Sequence, residues 1–207
     1  MIDRRALLIS AVAAGTALAT PSLALTPVGP ADMVLGSARA PVTVIEYASA
    51  SCPHCARWAL DVFPDFARQF IRTGQVRYVM REFLTSPPEL AAAGFLTARC
   101  GGGGRYFEIL QAVFSVQAEI FESGNIAGPL LRVAQQFGIS REQFNACLND
   151  QVALLALNQR VTRAVEVDGI NSTPTFFVNG RRMVGEQTLE DLAAAVADAR
   201  RNRSGES

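Results

Sequence analysis

The chain contains no lysine: all 19 basic residues are arginine. That excludes a Schiff-base lysine and a lysine-bearing phosphate loop. There is one histidine, His54, so neither a multi-histidine metal site nor a hydrolase triad can be assembled elsewhere. No charge of either sign is in excess, since 19 acidic residues balance the 19 basic ones. The sequence therefore carries no electrostatic footprint for nucleic acid or an anionic membrane. What is present is apolar: 49% of the 207 residues are hydrophobic and 18% charged, a globular composition. The length suits one domain, or one domain with a large insertion.

The N-terminus reads as an export signal over residues 1–24. Arg4 and Arg5 precede an apolar stretch from Ala6 to Ala19. A bilayer span needs about 20 apolar residues, so this stretch is too short. A positive start, a short apolar core and small residues at a cleavage site make a secretory signal. Ala17-Leu18-Ala19 and Ser22-Leu23-Ala24 both fit, with cleavage after Ala24 preferred. A retained anchor is the alternative. The paired arginines also resemble a twin-arginine signal, so the route is general secretion or twin-arginine export. Either route leads to an oxidising compartment, the periplasm, where cysteine pairs persist as disulfides. No later segment could span a membrane.

Residues 25–40 form an extended lead-in with a short edge strand near Met33 to Leu35. Residues 41–85 read as strand, helix, strand. Pro41 to Ala48 is β-branched and almost continuously apolar, as in a strand covered on both faces. Ala59, Val62, Phe63, Phe66 and Phe70 then mark a helical stripe, with Pro64 expected to kink it and Gly74 to end it. Gln75 to Leu84 alternates as a second strand. Residues 86–168 form a helical block. Its helices start at Pro87-Pro88, span Tyr106 to Phe121 and Ile126 to Phe137, open at the Ser140/Gln143 capping box, and run from about Val152 to Val167. The Gly101 to Gly104 run reads as a helix connection. Residues 169–202 hold the strand Thr175 to Val178, the hairpin signal Asn179-Gly180, a returning strand from Arg182, and a helix capped by Thr188 and Asp191. Arg200 to Ser207, and residues 203–207 above all, read as a solvated tail. The order βαβ, helices, ββα is one α/β domain with an all-helical insertion.

Four cysteines remain: Cys52, Cys55, Cys100 and Cys147. Cys52-Pro53-His54-Cys55 lies between a strand and a helix and encloses the only histidine. The thiolate is the reactive form of cysteine, and a free thiol titrates near ~8.5. At a helix N-terminus, unpaired N–H groups and the dipole favour a thiolate at Cys52. Pro53 suits the first helical turn, and a protonated His54 adds positive charge. A stabilised thiolate favours the reduced pair, so the disulfide form is oxidising. Cys55, one turn into the helix, is expected to be more buried and to act as the resolving thiol. Two other readings compete. A closed zinc site needs four ligands, which isolated Cys100 and Cys147 do not obviously complete. A purely structural disulfide across two residues would close little chain entropy.

The run Val44 to Cys55 resembles the active-site strand and helix start of the DsbA family of periplasmic thiol-disulfide oxidoreductases. Cys-Pro-His-Cys is the tetrapeptide of the archetypal oxidase. The resemblance covers roughly residues 33 to 200. It implies a thioredoxin fold with an inserted helical domain, Cys52 as nucleophile and Cys55 as resolving cysteine. Ser172-Thr173-Pro174-Thr175-Phe176-Phe177-Val178 resembles the family's cis-proline loop and next strand. A trans proline opening a strand is the alternative. A cis bond at Pro174 would turn the loop toward Cys52 and leave Thr173 backbone groups for a substrate peptide. Glu46, six residues before Cys52, falls where the resemblance places a buried acid, on one strand face with Val42, Val44 and Ala48. Burial would raise its pKa and let it relay a proton to or from Cys55; a charged residue at a sheet margin is the other reading. The resemblance also places Cys100 and Cys147 at a second disulfide of the helical domain, with two buried free thiols as the alternative.

These readings imply an exported thiol-disulfide oxidoreductase with no cofactor beyond its cysteines. Its disulfide would pass to unfolded exported proteins with free cysteines, and a membrane quinone-linked reoxidase would restore it. A reductase or isomerase of the same fold is a rival, because Thr173 stands where isomerases carry threonine and the best-studied oxidases valine. A Cu(I) module on Cys52 and Cys55 is a second rival.

Overall fold

The computed structural model describes residues 25–205; the expected export signal and the last two residues lie outside the described residues. Five strands form one sheet in the order β1-β3-β2-β4-β5. β1 is the short edge strand Met33–Leu35, antiparallel to β3, Val76–Glu82. β2, Val42–Ala48, pairs parallel with β3 and antiparallel with β4, Thr175–Val178. β5, Arg181–Val184, returns along β4 through Asn179 and Gly180. Both turn residues have positive φ, 45° and 89°, as a type I′ hairpin requires.

β2 is central, which explains its continuous apolarity. Val42, Val44 and Ala48 point into the main core, whereas Ile45 and Tyr47 join a smaller cluster on the opposite face. The sheet is therefore covered on both sides, and Glu46 stands in its middle strand rather than at a margin.

The helix that starts after Cys52 runs from Pro53 to Ile71 with two interruptions. α1 is Pro53–Arg57, a π-helical turn covers Trp58–Val62, α2 is Phe63–Phe66, and a second π turn covers Ala67–Ile71. Pro64 has no N–H to give Leu60, and the chain accommodates it with an extra residue: Phe63 N–H reaches back five residues to the Trp58 carbonyl.

Six helices separate β3 from β4: α3 Pro88–Cys100, α4 Tyr106–Ser115, α5 Gln117–Ser123, α6 Ala127–Gln136, α7 Arg141–Leu148 and α8 Gln151–Glu166. The Ser140/Gln143 capping box forms in both directions. The expected single helix from Tyr106 to Phe121 is broken at Val116 (φ −98°, ψ 1°). The break turns Gln117 inward, where its Nε2 donates to the Ala50 carbonyl at 2.8 Å and the Cys52 carbonyl at 3.3 Å. No local breaker announces this; a long-range bond does it. A second correction concerns the C-terminus. The expected tail at Arg200 is helical, because α9 runs from Leu189 to Gly205. Arg200 donates to Gln75 Oε1 (2.6 Å) and Arg203 to the Pro41 carbonyl (3.0 Å), which ties the last turns to the sheet end.

The insertion is fastened to the sheet at Glu82, a buried carboxylate ending β3. It accepts from Arg99 of α3 at 2.6 Å, from Arg160 of α8 at 2.6 and 2.8 Å, and from the Tyr106 hydroxyl of α4 at 3.0 Å. Gly94 lets α3 lie against the cysteine loop, since a Cβ there would sit 2.7 Å from Ala50 Cβ. Within the insertion a disulfide joins Cys100 at the end of α3 to Cys147 in α7. It closes a loop of 47 residues. Chain entropy makes such a crosslink worth ~4 kcal/mol. The Cys100→Ala/Cys147→Ala protein is expected to lose about that much unfolding free energy in a guanidinium titration; a loss below ~1 kcal/mol would show that the bridge does not constrain the unfolded chain.

Candidate active site

β2 ends at Ala48, and the next four residues carry the chain from the sheet centre to the start of α1. Serines fix this loop. Ser49 Oγ accepts from Thr85 N–H at 3.1 Å, and Ser51 Oγ donates to the Thr85 carbonyl at 3.0 Å. Gln117 holds it from the helical side.

Cys52 is the N-cap of α1, with Pro53 in the first turn. Its sulfur accepts from Cys55 N–H at 3.4 Å. It also lies 3.4 Å from the Thr173 carbonyl, so the loop containing Thr173 faces the thiol. The Thr173–Pro174 bond is cis. The Thr173 hydroxyl is buried without another hydrogen-bond partner, which leaves a Cys52 thiolate as the acceptor available to it. These contacts bring the Cys52 pKa down from 9.0 to about 5. The hydrogen bond with the Cys55 thiol contributes most; burial opposes it; Thr173 and the N–H groups of Cys55 and His54 add to it.

Cys55 is fully buried, and its pKa moves the other way, well above its ordinary value. Burial is the largest cause, followed by the hydrogen bond and charge of Cys52 and the charge of Glu46. One sulfur of the motif is thus a stable thiolate at neutral pH, and its neighbour stays protonated.

Glu46 is 1% exposed, and its carboxyl pKa is raised from 4.5 to about 8. Burial drives the shift, the Tyr78 hydroxyl bonded to the carboxylate opposes it, and the charge of Cys52 adds to it. Glu46 and the indole of Trp58, whose Nε1 is a buried donor without a partner, line a common cavity of about 10 Å³. That is room for about one water.

His54 stands apart from this buried group. Its side chain is 61% exposed and its Nδ1 lies 3.1 Å from Glu186 Oε2, in the turn after β5. Arg57, one turn along α1, donates to the same oxygen at 2.9 Å. The structure therefore brings Cys52, Pro53, His54, Cys55, Thr173, Pro174 and Glu46 into one locality, while Cys100 and Cys147 belong to the insertion. Sequence reasoning missed Gln117, Glu186, Tyr78 and the Ser49–Ser51–Thr85 brace. Only the alternation of Tyr78 on β3 with Glu46 on its parallel neighbour offered a signal. Among the described residues no group of three or more histidine, cysteine or acidic side chains could hold a metal, and no helix is long and apolar enough to cross a membrane.

A dithiol at a helix start, facing a cis-proline loop on a β1-β3-β2-β4-β5 sheet with a helical insertion, defines a thioredoxin-fold protein with a DsbA-like site. The sequence profile of the family described as Thioredoxin matches residues 29–198. The chain belongs to that family, and within it to its DsbA-like members. A Rickettsia conorii protein named as a protein-disulfide oxidoreductase is 36% identical over 172 residues, covering 81% of this chain and 60% of that protein. The Rickettsia typhi counterpart is 37% identical over 169 residues, covering 80% of this chain and 60% of that protein. The chain thus spans about three-fifths of the length of these relatives. The crystal structure of Wolbachia pipientis alpha-DsbA1 superposes with a TM-score of 0.79 at 25% identity, covering 88% of this chain and 96% of that one.

Two outcomes are expected from the site's electrostatics. Thiolate absorbance of the reduced protein should titrate with a midpoint near pH 5 and vanish in Cys52→Ser; a midpoint above 8 would show that the cap does not stabilise the thiolate. For Glu46 the folded pKa is raised, so the stability it permits is complete below about pH 4.5 and lost as pH rises through about 8. Glu46→Gln, which still bonds Tyr78, should escape that loss and gain roughly 3 to 5 kcal/mol over wild type at pH 8.5 but not at pH 4. Equal pH dependence of the two proteins would show that Glu46 is not held neutral.

Proposed function

We propose that this chain is an exported thiol-disulfide oxidoreductase that donates a Cys52–Cys55 disulfide to cysteines of folding exported proteins. The opposite pKa shifts of the two sulfurs carry this reading. A disulfide is a strong oxidant when its reduced form is specially stabilised, and a thiol whose pKa is brought down from 9.0 to about 5 is so stabilised. In the oxidised protein a substrate thiolate attacks Cys52. The S–S bond breaks, its electron pair leaves on Cys55, and Glu46 supplies the proton that the buried sulfur needs. The mixed disulfide joins substrate to Cys52. A second substrate thiolate then displaces Cys52 as its stabilised thiolate, a good leaving group.

The Thr173 backbone, next to the sulfur, would pair with the extended substrate segment around the reacting cysteine. The export signal read in residues 1–24 supports a periplasmic location, where a membrane quinone-linked protein would reoxidise it. Cys52 and Cys55 need no other cofactor. As two adjacent soft ligands they also favour Cu(I), the lesser reading. The threonine before Pro174 favours reductase or isomerase as the second reading, and the potential separates the two.

Equilibrium with glutathione should put the Cys52–Cys55 couple near ~−120 mV, where the oxidase DsbA lies, rather than near ~−270 mV with thioredoxin. A value of roughly −200 mV or lower would transfer the protein to the reducing or isomerising class. Cys52→Ser should abolish acceleration of insulin reduction by dithiothreitol; unchanged acceleration would remove the chemistry from this cysteine.

A further inference from the structure

We infer that the cavity between the lead-in, the end of β3 and α8 is a binding site for a small organic carboxylate. The site is separate from the thiol chemistry: neither cysteine of the motif lines it, nor does Glu46 or the Thr173–Pro174 loop. Its volume is about 220 Å³. Sites for drug-sized ligands start near ~300 Å³, so its occupant is smaller than those. Pro27, Pro30 and Met80 supply apolar wall, and the guanidiniums of Arg81, Arg99, Arg160 and Arg163 supply charge.

The charges in this cavity do not balance. The carboxylates of its lining are Asp32, Glu82 and Asp168, so four guanidiniums face three carboxylates. Arg81 is fully engaged: it donates to Asp32, to the Tyr47 hydroxyl and to the Thr26 and Pro27 carbonyls, and lies 3.5 Å from Asp168. Glu82 holds Arg99 and Arg160 together. Arg163, one turn along α8 from Arg160, makes no hydrogen bond or ion pair with any described residue. A guanidinium also carries more N–H donors than the paired arginines use. Arg99 spends Nε on Glu82 and Nη2 on the Ala31 carbonyl, and Arg160 spends Nε and Nη2 on Glu82. Nη1 of each has no acceptor among the described residues. The Thr26 hydroxyl oxygen is buried here without a partner. The cavity thus gathers one unmatched positive charge, unspent donors from two helices and an orphaned hydroxyl.

Those features select the ligand. One unmatched charge calls for a monoanion, whereas a phosphate monoester carries about −1.5 to −2 at pH 7. A carboxylate presents two oxygens side by side, which suits planar guanidinium donors. Its hydrocarbon end would lie on the two prolines and Met80. Bound there, it would touch α3, α8 and the lead-in at once. It would therefore favour the docked arrangement of these elements and stabilise the fold by mass action.

The test is calorimetric titration of the full chain with butanoate at constant ionic strength. Butanamide serves as the neutral isostere and inorganic phosphate as the competing anion. Butanoate should bind saturably and raise the thermal unfolding midpoint, and butanamide should do neither. Arg163 is exposed and unpaired, so Arg163→Gln should leave the fold intact. It should weaken butanoate about tenfold, as loss of a charge-assisted hydrogen bond does, and Arg163→Lys should restore part of the affinity. Three results overturn the inference: no saturable binding by wild type, equal binding of butanamide, or undiminished affinity in Arg163→Gln. Tighter binding of phosphate than of butanoate would overturn the assignment to a carboxylate. Acetyl-alanyl-alanine separates the two sources of such a group: tighter binding than butanoate assigns the site to a peptide C-terminus, weaker binding to a free acid.

Discussion

A sulfur in the N-cap position of a helix is the constraint on which this site depends. The first turn of any helix has N–H groups without partners, and here Cys55 N–H points at Cys52 Sγ. The negative charge on that sulfur is tolerable because the backbone that stabilises it is already in place. Everything near it serves to keep the backbone there. The serine brace and Gln117 fix the loop before the sulfur, Pro53 starts the turn after it, and the cis-proline loop closes over it. Placing a thiolate so near the core has a consequence one turn later: Cys55 and Glu46 are buried beside a charge of their own sign, and both are pushed toward their neutral forms.

The same economy of paired charge docks the helical insertion. Glu82 gathers Arg99, Tyr106 and Arg160 from three helices onto the end of β3. On the sheet's second face, Arg81 bonds Asp32 of the lead-in and the Tyr47 hydroxyl, and Tyr47 in turn donates to Asp168. A chain without lysine uses arginine at both places. A planar guanidinium can meet several acceptors at once, which suits buried hubs. The two hubs sit on adjacent residues of one strand, Arg81 and Glu82, and line one cavity together. One strand end thus fastens both the lead-in and the insertion.

Much of the fold was legible because its signals are local. The β-branched run at Val42 to Ala48, the Asn179-Gly180 turn, the Ser140 capping box and the edge strand at Met33 lie where their residue types place them. The errors share a cause. The helix break at Val116 and the ordered helix beyond Arg200 depend on Gln117 and on Arg200 and Arg203 meeting partners 65 or more positions away in the chain. No window of neighbouring residues contains such a partner. The sequence marked Pro64 as a kink; the structure resolves it as two π turns, with Trp58 packed against Phe63 and Phe66.

By itself the sequence determined the chemistry available: two cysteines around one histidine at a strand-to-helix junction, a proline loop to face them, and an acid on the strand before. Residue type and spacing suffice for that, because a helix start polarises whatever occupies its cap. Only the tertiary structure decided what each group does there. Tyr78, brought alongside by the parallel pairing of β2 and β3, donates a hydrogen bond to the Glu46 carboxylate. Glu186, 132 residues from His54, meets that ring at Nδ1. A pKa or a tautomer is set by what surrounds a group in space, and chain neighbours supply only part of those surroundings.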